Sequence, residues 1–71
     1  MSEDIYILAF GYDYEGYDIV GVFQSLYKAK SFEEEIYTDY RIIYKVDFSD
    51  PSGFKEVAYL DKKDSNKWVN I

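Results

Sequence analysis

The chain has 71 residues, among them nine tyrosines but no histidine or cysteine, and its net charge at pH 7 is −6. This length fits one domain, and without histidine or cysteine the usual catalytic triads, zinc hydrolysis and thiol redox chemistry are excluded. The acidic balance argues against direct binding to nucleic acid or to anionic membranes, because both are bound through basic patches.

The sequence favours a soluble, cytoplasmic protein. No stretch approaches the roughly 20 consecutive apolar residues of a membrane span. The first four residues include two acids, and the apolar run in residues 5–10 is too short for the core of a signal peptide. We therefore expect neither a leader nor a membrane anchor.

The first third of the sequence predicts a β-hairpin. Residues 5–10 are rich in strand formers, and apolar side chains on both faces indicate a central strand. Residues 11–16 have a glycine at each end and two acids between them, which is typical of a turn or short loop. Residues 17–23 form the second predicted strand, so the two strands pair through this loop.

A helix follows the hairpin. Ser25 stands where a helix N-cap is expected. Apolar residues then recur at spacings of three, three and four, as on one face of a helix. These residues are Leu26, Ala29, Phe32 and Ile36.

The second half of the sequence predicts another hairpin. Residues 40–48 alternate with period two and have one more polar face, which is typical of a half-buried strand. Residues 49–53 combine proline, glycine and small polar residues in a turn, and residues 54–60 form the next strand. Residues 61–66 are polar and form a loop, whereas residues 67–71 are either a short fifth strand or a tail packed on the sheet.

The predicted order of elements is therefore ββαββ(β), with the last strand optional. One amphipathic helix on one face of a small antiparallel sheet is the economical arrangement for an α+β domain of this size. We expect residues 1–71 to form a single α+β domain.

Residues 21–30, Gly-Val-Phe-Gln-Ser-Leu-Tyr-Lys-Ala-Lys, resemble a segment found in many short, uncharacterised phage and bacterial proteins. In that segment a hairpin ends in Gly-Val-Phe and is followed by a serine and a helix that carries Ala-Lys. The similarity extends over residues 5–36. It implies a ββαβ-type fold and a phage origin, and therefore the host cytoplasm as location, but it implies no activity.

Two groups of carboxylates are candidate sites. Asp13, Glu15 and Asp18 surround the first hairpin loop and could bind calcium, although their spacing differs from that of an EF-hand and a solvated turn is the alternative. The second group lies on the predicted helix and just after it, and its consecutive glutamates point about 100° apart, so they cannot converge on one ion. This group is either a solvated helix face or a set of spaced charges for a basic protein surface. Its members are Glu33, Glu34, Glu35 and Asp39.

The aromatic residues are too many for so small a core. Tyr12, Tyr14 and Tyr17 flank the acidic loop, and Tyr27 and Tyr37 lie off the apolar face of the predicted helix. Tyrosine is enriched in protein interfaces, but it also favours strands, so both explanations stay open. The single tryptophan, Trp68, is expected to pin the terminal segment to the core.

These observations favour binding over catalysis. The hypothesis is a non-enzymatic protein of phage type that docks an acidic, tyrosine-rich face on a basic surface of a host protein, where its carboxylates take the place of phosphates. The acidic excess lies in residues 1–40, which hold nine acids and two lysines. The predicted partner-binding residues are Tyr12, Asp13, Tyr14, Glu15, Asp18, Glu33, Glu34, Glu35 and Tyr37.

The alternative is a structural or self-associating, homodimeric domain without a host target, since an open sheet edge is readily completed by a second copy. Neither hypothesis requires a cofactor or a metal ion, and neither involves direct contact with nucleic acid or a membrane.

Overall fold

The computed structural model describes residues 4–14, 16–32, 38–49, 53–62 and 67–71, which form a five-stranded antiparallel sheet with one short helix. The elements in chain order are β1 (Tyr6–Tyr12), β2 (Gly16–Phe23), α1 (Leu26–Ser31), β3 (Tyr40–Val46), β4 (Phe54–Asp61) and β5 (Trp68–Asn70). The prediction of a small antiparallel sheet with one helix is confirmed, and the segment left open at the C-terminus is a strand.

The strands lie in the order β2-β1-β3-β4-β5, which differs from their order along the chain. The difference arises because the chain leaves β2 through α1 and returns on the other side of β1. Strand β1 therefore pairs with both β2 and β3 and occupies an inner position, as its two apolar faces predict.

The first hairpin is tighter than predicted. Tyr12 pairs with Gly16, so β1 continues two residues beyond its predicted end and only residues 13–15 connect the strands. Gly16 has a φ of +79°, a left-handed conformation that glycine adopts without steric cost. The pairing shifts between Leu8 and Ala9, and this β-bulge leaves Val20 as the extra residue, whose side chain packs against the core.

Helix α1 begins as predicted and ends early. The Ser25 hydroxyl oxygen accepts a hydrogen bond from the Lys28 amide (3.1 Å), so Ser25 is the N-cap. The helix ends at Ser31, and Phe32 is already extended (φ −65°, ψ 123°), so the prediction that Phe32 is helical is wrong. In this conformation the Phe32 ring contacts the rings of Phe10 (6.4 Å) and Phe23 (5.6 Å). Ile36 lies outside the described residues.

The core forms between α1 and one face of the sheet. Its fully buried residues come from α1 and three strands, and Trp68 packs against them as predicted. They are Leu8, Phe10, Ala29, Ile43 and Ala58. None of the described helices has the length and apolar content needed to cross a membrane.

Strand β3 turns its more polar face to this core. The cross-strand pairs place Arg41 beside Phe10 and Ile43 beside Leu8, under the helix. The Arg41 side chain is only 8% exposed; its guanidinium carbon lies 4.3 Å from the centre of the Phe10 ring, and Nη1 donates to the Phe32 carbonyl oxygen (3.3 Å). The ring contact and this hydrogen bond compensate in part for burying the charge. As a result, the aromatic face of β3 points to the other side of the sheet.

Candidate functional site

The sheet face opposite α1 is mostly apolar, with two carboxylates on β4, and no described helix covers it. We call it the tyrosine face and define it by the residues that the strand register places there. They are Ile7, Ala9 and Gly11 of β1, Tyr17, Ile19 and Val22 of β2, Tyr40, Ile42, Tyr44 and Val46 of β3, Phe54, Glu56, Tyr59 and Asp61 of β4, and Val69 of β5.

A row of three tyrosine rings crosses one end of the tyrosine face. The rings of Tyr17 and Tyr40 meet edge to face with centroids 5.5 Å apart, and those of Tyr40 and Tyr59 are stacked at 5.9 Å. The row crosses β1 at Gly11, where a Cβ atom would stand 2.0 Å from Cε2 of Tyr40. The missing side chain of Gly11 is therefore what lets the Tyr40 ring lie across β1 and reach Tyr17.

The tyrosine face is only partly shielded by its own side chains. Ala9 and Ile42 are 1% and 3% exposed, so the aromatic rings above them already exclude water. In contrast, Ile19 is 70% and Val22 64% exposed, and Tyr17 and Phe54 are about half exposed. Apolar side chains this exposed and this close together mark a contact surface more often than isolated ones do.

A shallow depression lies in the middle of this face. It is lined by Ile7, Ala9, Tyr17, Ile19, Tyr44 and Phe54 and has a volume of about 250 Å³. Small-molecule sites usually enclose about 300–1,000 Å³ and bury most of the ligand. The size and the open shape of the depression therefore suit one or two apolar side chains of a protein better than a small ligand.

The charges near the tyrosine face are negative. Burial raises the pKa of Tyr40, and the hydrogen bond to Tyr17 and the carboxylate of Asp13 raise it further. Burial also raises the pKa of Tyr44, with a contribution from the carboxylate of Glu56. In the strand register Glu56 is the cross-strand partner of Tyr44, and Asp13 follows two residues after Gly11, which pairs with Tyr40.

Basic residues of the central strands lie on the other side. The strand register turns Arg41, Lys45 and Lys55 to the face that carries α1. Among the residues that define the tyrosine face, none is lysine or arginine. The surface therefore consists of an apolar centre with carboxylates at its rim.

The predicted site residues that the structure describes all lie around the first hairpin. Asp13 is exposed at the hairpin end, and Tyr14 beside it is 97% exposed. Tyr12 packs against the core, on the side of the sheet that carries α1. Asp18 is exposed on the β2 edge, opposite Phe10 in the register. The remaining predicted residues, Glu15, Glu33, Glu34, Glu35 and Tyr37, lie outside the described residues.

Asp39 has a structural role that its charge did not indicate. It is 8% exposed, and its Oδ2 accepts a hydrogen bond from the Asp13 amide (2.8 Å). Its backbone amide donates to the Gly11 carbonyl oxygen (3.0 Å), and its carbonyl oxygen accepts from the Lys62 amide (3.0 Å). Asp39 thus ties the first hairpin to the end of β4 and holds Asp13 in place.

Sequence reasoning did not identify the centre of the tyrosine face. In the sequence, Ile19, Val22 and Phe54 carry only a strand signal, and Tyr44 is one of the nine tyrosines that exceed what a small core can hold. The sequence does contain a signal for this face: β1 is apolar on both faces, and the single predicted helix can cover only one of them. The second apolar face is therefore expected to lack a helix.

In the part of the chain that the structure describes, no three carboxylates are placed so that they could hold a metal ion.

No family model matches the sequence, and comparisons with curated proteins and with solved structures gave no match either.

Proposed function

We propose that this chain is a non-enzymatic docking protein that binds a partner protein through the tyrosine face. The observation that carries the proposal is an apolar sheet face that no described helix covers, with carboxylates at its rim. The matching partner surface has an apolar centre and basic side chains around it. The resemblance to short phage proteins supports a host protein as the partner and the host cytoplasm as the location.

The size of the face supports a specific but modest contact. Strands lie about 4.8 Å apart and rise about 3.3 Å per residue. Four strands of seven or eight residues thus present roughly 19 Å by 23 Å, or about 440 Å² in flat projection. Burying that area at about 25 cal/mol per Å² gives about 11 kcal/mol, which is comparable with the roughly 4–15 kcal/mol that association costs. Burial of the whole four-strand face is therefore of the same order as that cost, and contacts at the rim decide the affinity.

The rim supports a basic partner. Glu56 pairs with Tyr44 across β3 and β4, the carboxylate of Asp13 contributes to the raised pKa of Tyr40, and the whole chain carries a net charge of −6. Complementary charges at the edge of an interface speed association and exclude partners of like charge. Binding through such a rim weakens as salt is added, because exposed charges are screened.

Affinity capture with matched variants tests the proposal. Ile19→Lys puts a charge on the tyrosine face, and Tyr27→Lys puts the same charge on α1, where Tyr27 is 79% exposed. The Ile19 variant should lose the proteins that the unchanged chain captures from a host lysate, and the Tyr27 variant should keep them. Equal capture by both variants would contradict the proposal. Charge reversal at Glu33, Glu34 and Glu35 tests separately whether the glutamate run contributes.

Self-association is the second candidate, and the same uncovered face favours it. Two copies could pack their tyrosine faces together as the sheets of a β-sandwich do. Such packing would bring the acidic rims close to each other, so a dimer of this kind should strengthen with salt. Sedimentation velocity at low and high salt distinguishes the candidates, because a monomer under both conditions excludes the dimer.

A further inference from the structure

The tyrosine face contains a trough that follows β1. Its floor on β1 consists of Ile7 and Ala9. Tyr17 and Ile19 of β2 stand on one side, and Tyr44 of β3 and Phe54 of β4 stand on the other. The contact between Tyr17 and Tyr40 closes one end.

The width of the trough fits an α-helix. Strands β2 and β3 lie on either side of β1, so the two walls are about 9.6 Å apart at the backbone. A helix with its side chains is about 10–12 Å across. A helix lying along β1 would therefore contact both walls and insert apolar side chains into the depression between them.

We propose that an amphipathic α-helix of the partner occupies the trough, with one apolar stripe flanked by lysine or arginine. This inference rests on the docking function proposed above. The apolar stripe matches the floor and walls, and the basic flanks match Asp13 and Glu56 at the rim. Among the described elements only α1 covers the sheet, packing on the opposite face through Ala29, so a bound helix would add a second helical layer.

Two other occupants fit less well. A strand added to the outer edge of β2 would gain backbone hydrogen bonds but would leave the tyrosine face in water. A second copy of this chain would bring its own acidic rim against Asp13 and Glu56. The basic helix is the occupant that satisfies both the apolar trough and the negative rim.

The test uses three synthetic peptides of about 18 residues each, long enough for several helical turns. One carries leucine and lysine in a helical period, the second has the same composition in strict alternation as for a strand, and the third replaces lysine by glutamate in the helical period. Binding is measured by titration calorimetry and by NMR shifts of the backbone amides. The helical leucine–lysine peptide should bind most tightly and shift the amides of Ile7, Ala9 and Tyr44.

Matched variants separate specific docking from general attraction to an acidic protein. Ile19→Lys should weaken binding of the helical leucine–lysine peptide about tenfold, equivalent to about 1.4 kcal/mol, whereas Tyr27→Lys should change it less than about twofold because only the long-range charge differs. Val22→Lys, at a site 64% exposed on the same face, repeats the test if the Ile19 variant does not fold.

Several results would overturn the inference. It fails if the alternating peptide binds as tightly as the helical one, if Ile19→Lys and Tyr27→Lys weaken binding equally, if no peptide binds, or if the chain is a dimer whose interface excludes the peptides. Loss of lysate capture by Ile19→Lys without peptide binding would reject the helix and retain the docking function. Unchanged capture together with absent peptide binding would reject both.

Discussion

Replacing Gly11 with alanine should destabilise the protein, although the same change in the interior of most strands is stabilising. Alanine usually helps because it restricts the unfolded chain, by about 0.4–1 kcal/mol. At this position the new Cβ would stand 2.0 Å from Cε2 of Tyr40, whereas carbon atoms in contact are about 3.5–4.0 Å apart. The ring must therefore move by about 1.5–2 Å.

The displaced ring loses its neighbours. Tyr40 contacts Tyr17 at 5.5 Å and Tyr59 at 5.9 Å, and aromatic pairs contribute about 0.5–1.5 kcal/mol each beyond the area they bury. Overpacking in general costs about 1–3 kcal/mol. After subtracting the gain from restricting the unfolded chain, we expect Gly11→Ala to lower the free energy of unfolding by about 1–2 kcal/mol.

Urea denaturation, followed by circular dichroism and by Trp68 fluorescence, measures this change. The comparison requires that the free energy of unfolding depend on urea concentration with the same slope in both proteins. The control is the same substitution in a Tyr40→Ala background, where the ring is absent and alanine at position 11 should be neutral or stabilising. A loss of equal size in both backgrounds, or no loss in the unchanged background, would refute the assigned role of Gly11.

Three further predictions follow from single sites. The pKa values of Tyr40 and Tyr44 are raised above their ordinary value of 10.0, so the folded chain holds these protons more tightly than the unfolded chain does. The free energy of unfolding should therefore fall as pH rises above about 10. An ultraviolet titration in which Tyr40→Phe leaves the late-titrating absorbance unchanged would contradict this. The Ser49 hydroxyl and amide donate to the Asp47 carboxylate and lower its pKa from 3.8, so Ser49→Ala should raise that pKa, as measured by NMR, and an unchanged value would exclude the hydroxyl as a cause. Gly53 has a φ of +85°, and a Cβ atom at this position would have no neighbour within 4 Å. Because only the backbone conformation is unfavourable, Gly53→Ala should lower the free energy of unfolding by about 1–2 kcal/mol in urea denaturation, and Gly53→Asn by less. Equal losses for the two variants would show that backbone conformation is not the reason.

Much of the local structure was predictable because its signals are local. The Ser25 cap, the glycines of the two hairpin turns and the runs of strand formers each act within a few residues. The early end of α1 was not predictable in this way, because Phe32 leaves the helix to contact Phe10 and Phe23, which are distant in sequence.

The candidate site was predictable only in character. An acidic, tyrosine-rich surface was expected, and the tyrosine face with its acidic rim has that character. Its location was not predicted, because acids and tyrosines close in sequence, such as Tyr12 and Tyr17, lie on opposite faces of the hairpin. Alternation along a strand separates such neighbours, whereas pairing between strands brings Tyr17, Tyr40 and Tyr59 together.

By itself, the sequence determined the kind of elements, the antiparallel hairpins and the excess of aromatic residues over what one small core can hold. Only the tertiary structure decided which face of β3 meets the helix. A period of two defines two faces without saying which one is covered, and the choice depends on register with β1, which places Arg41 over Phe10 and leaves Tyr40 and Tyr44 on the open side.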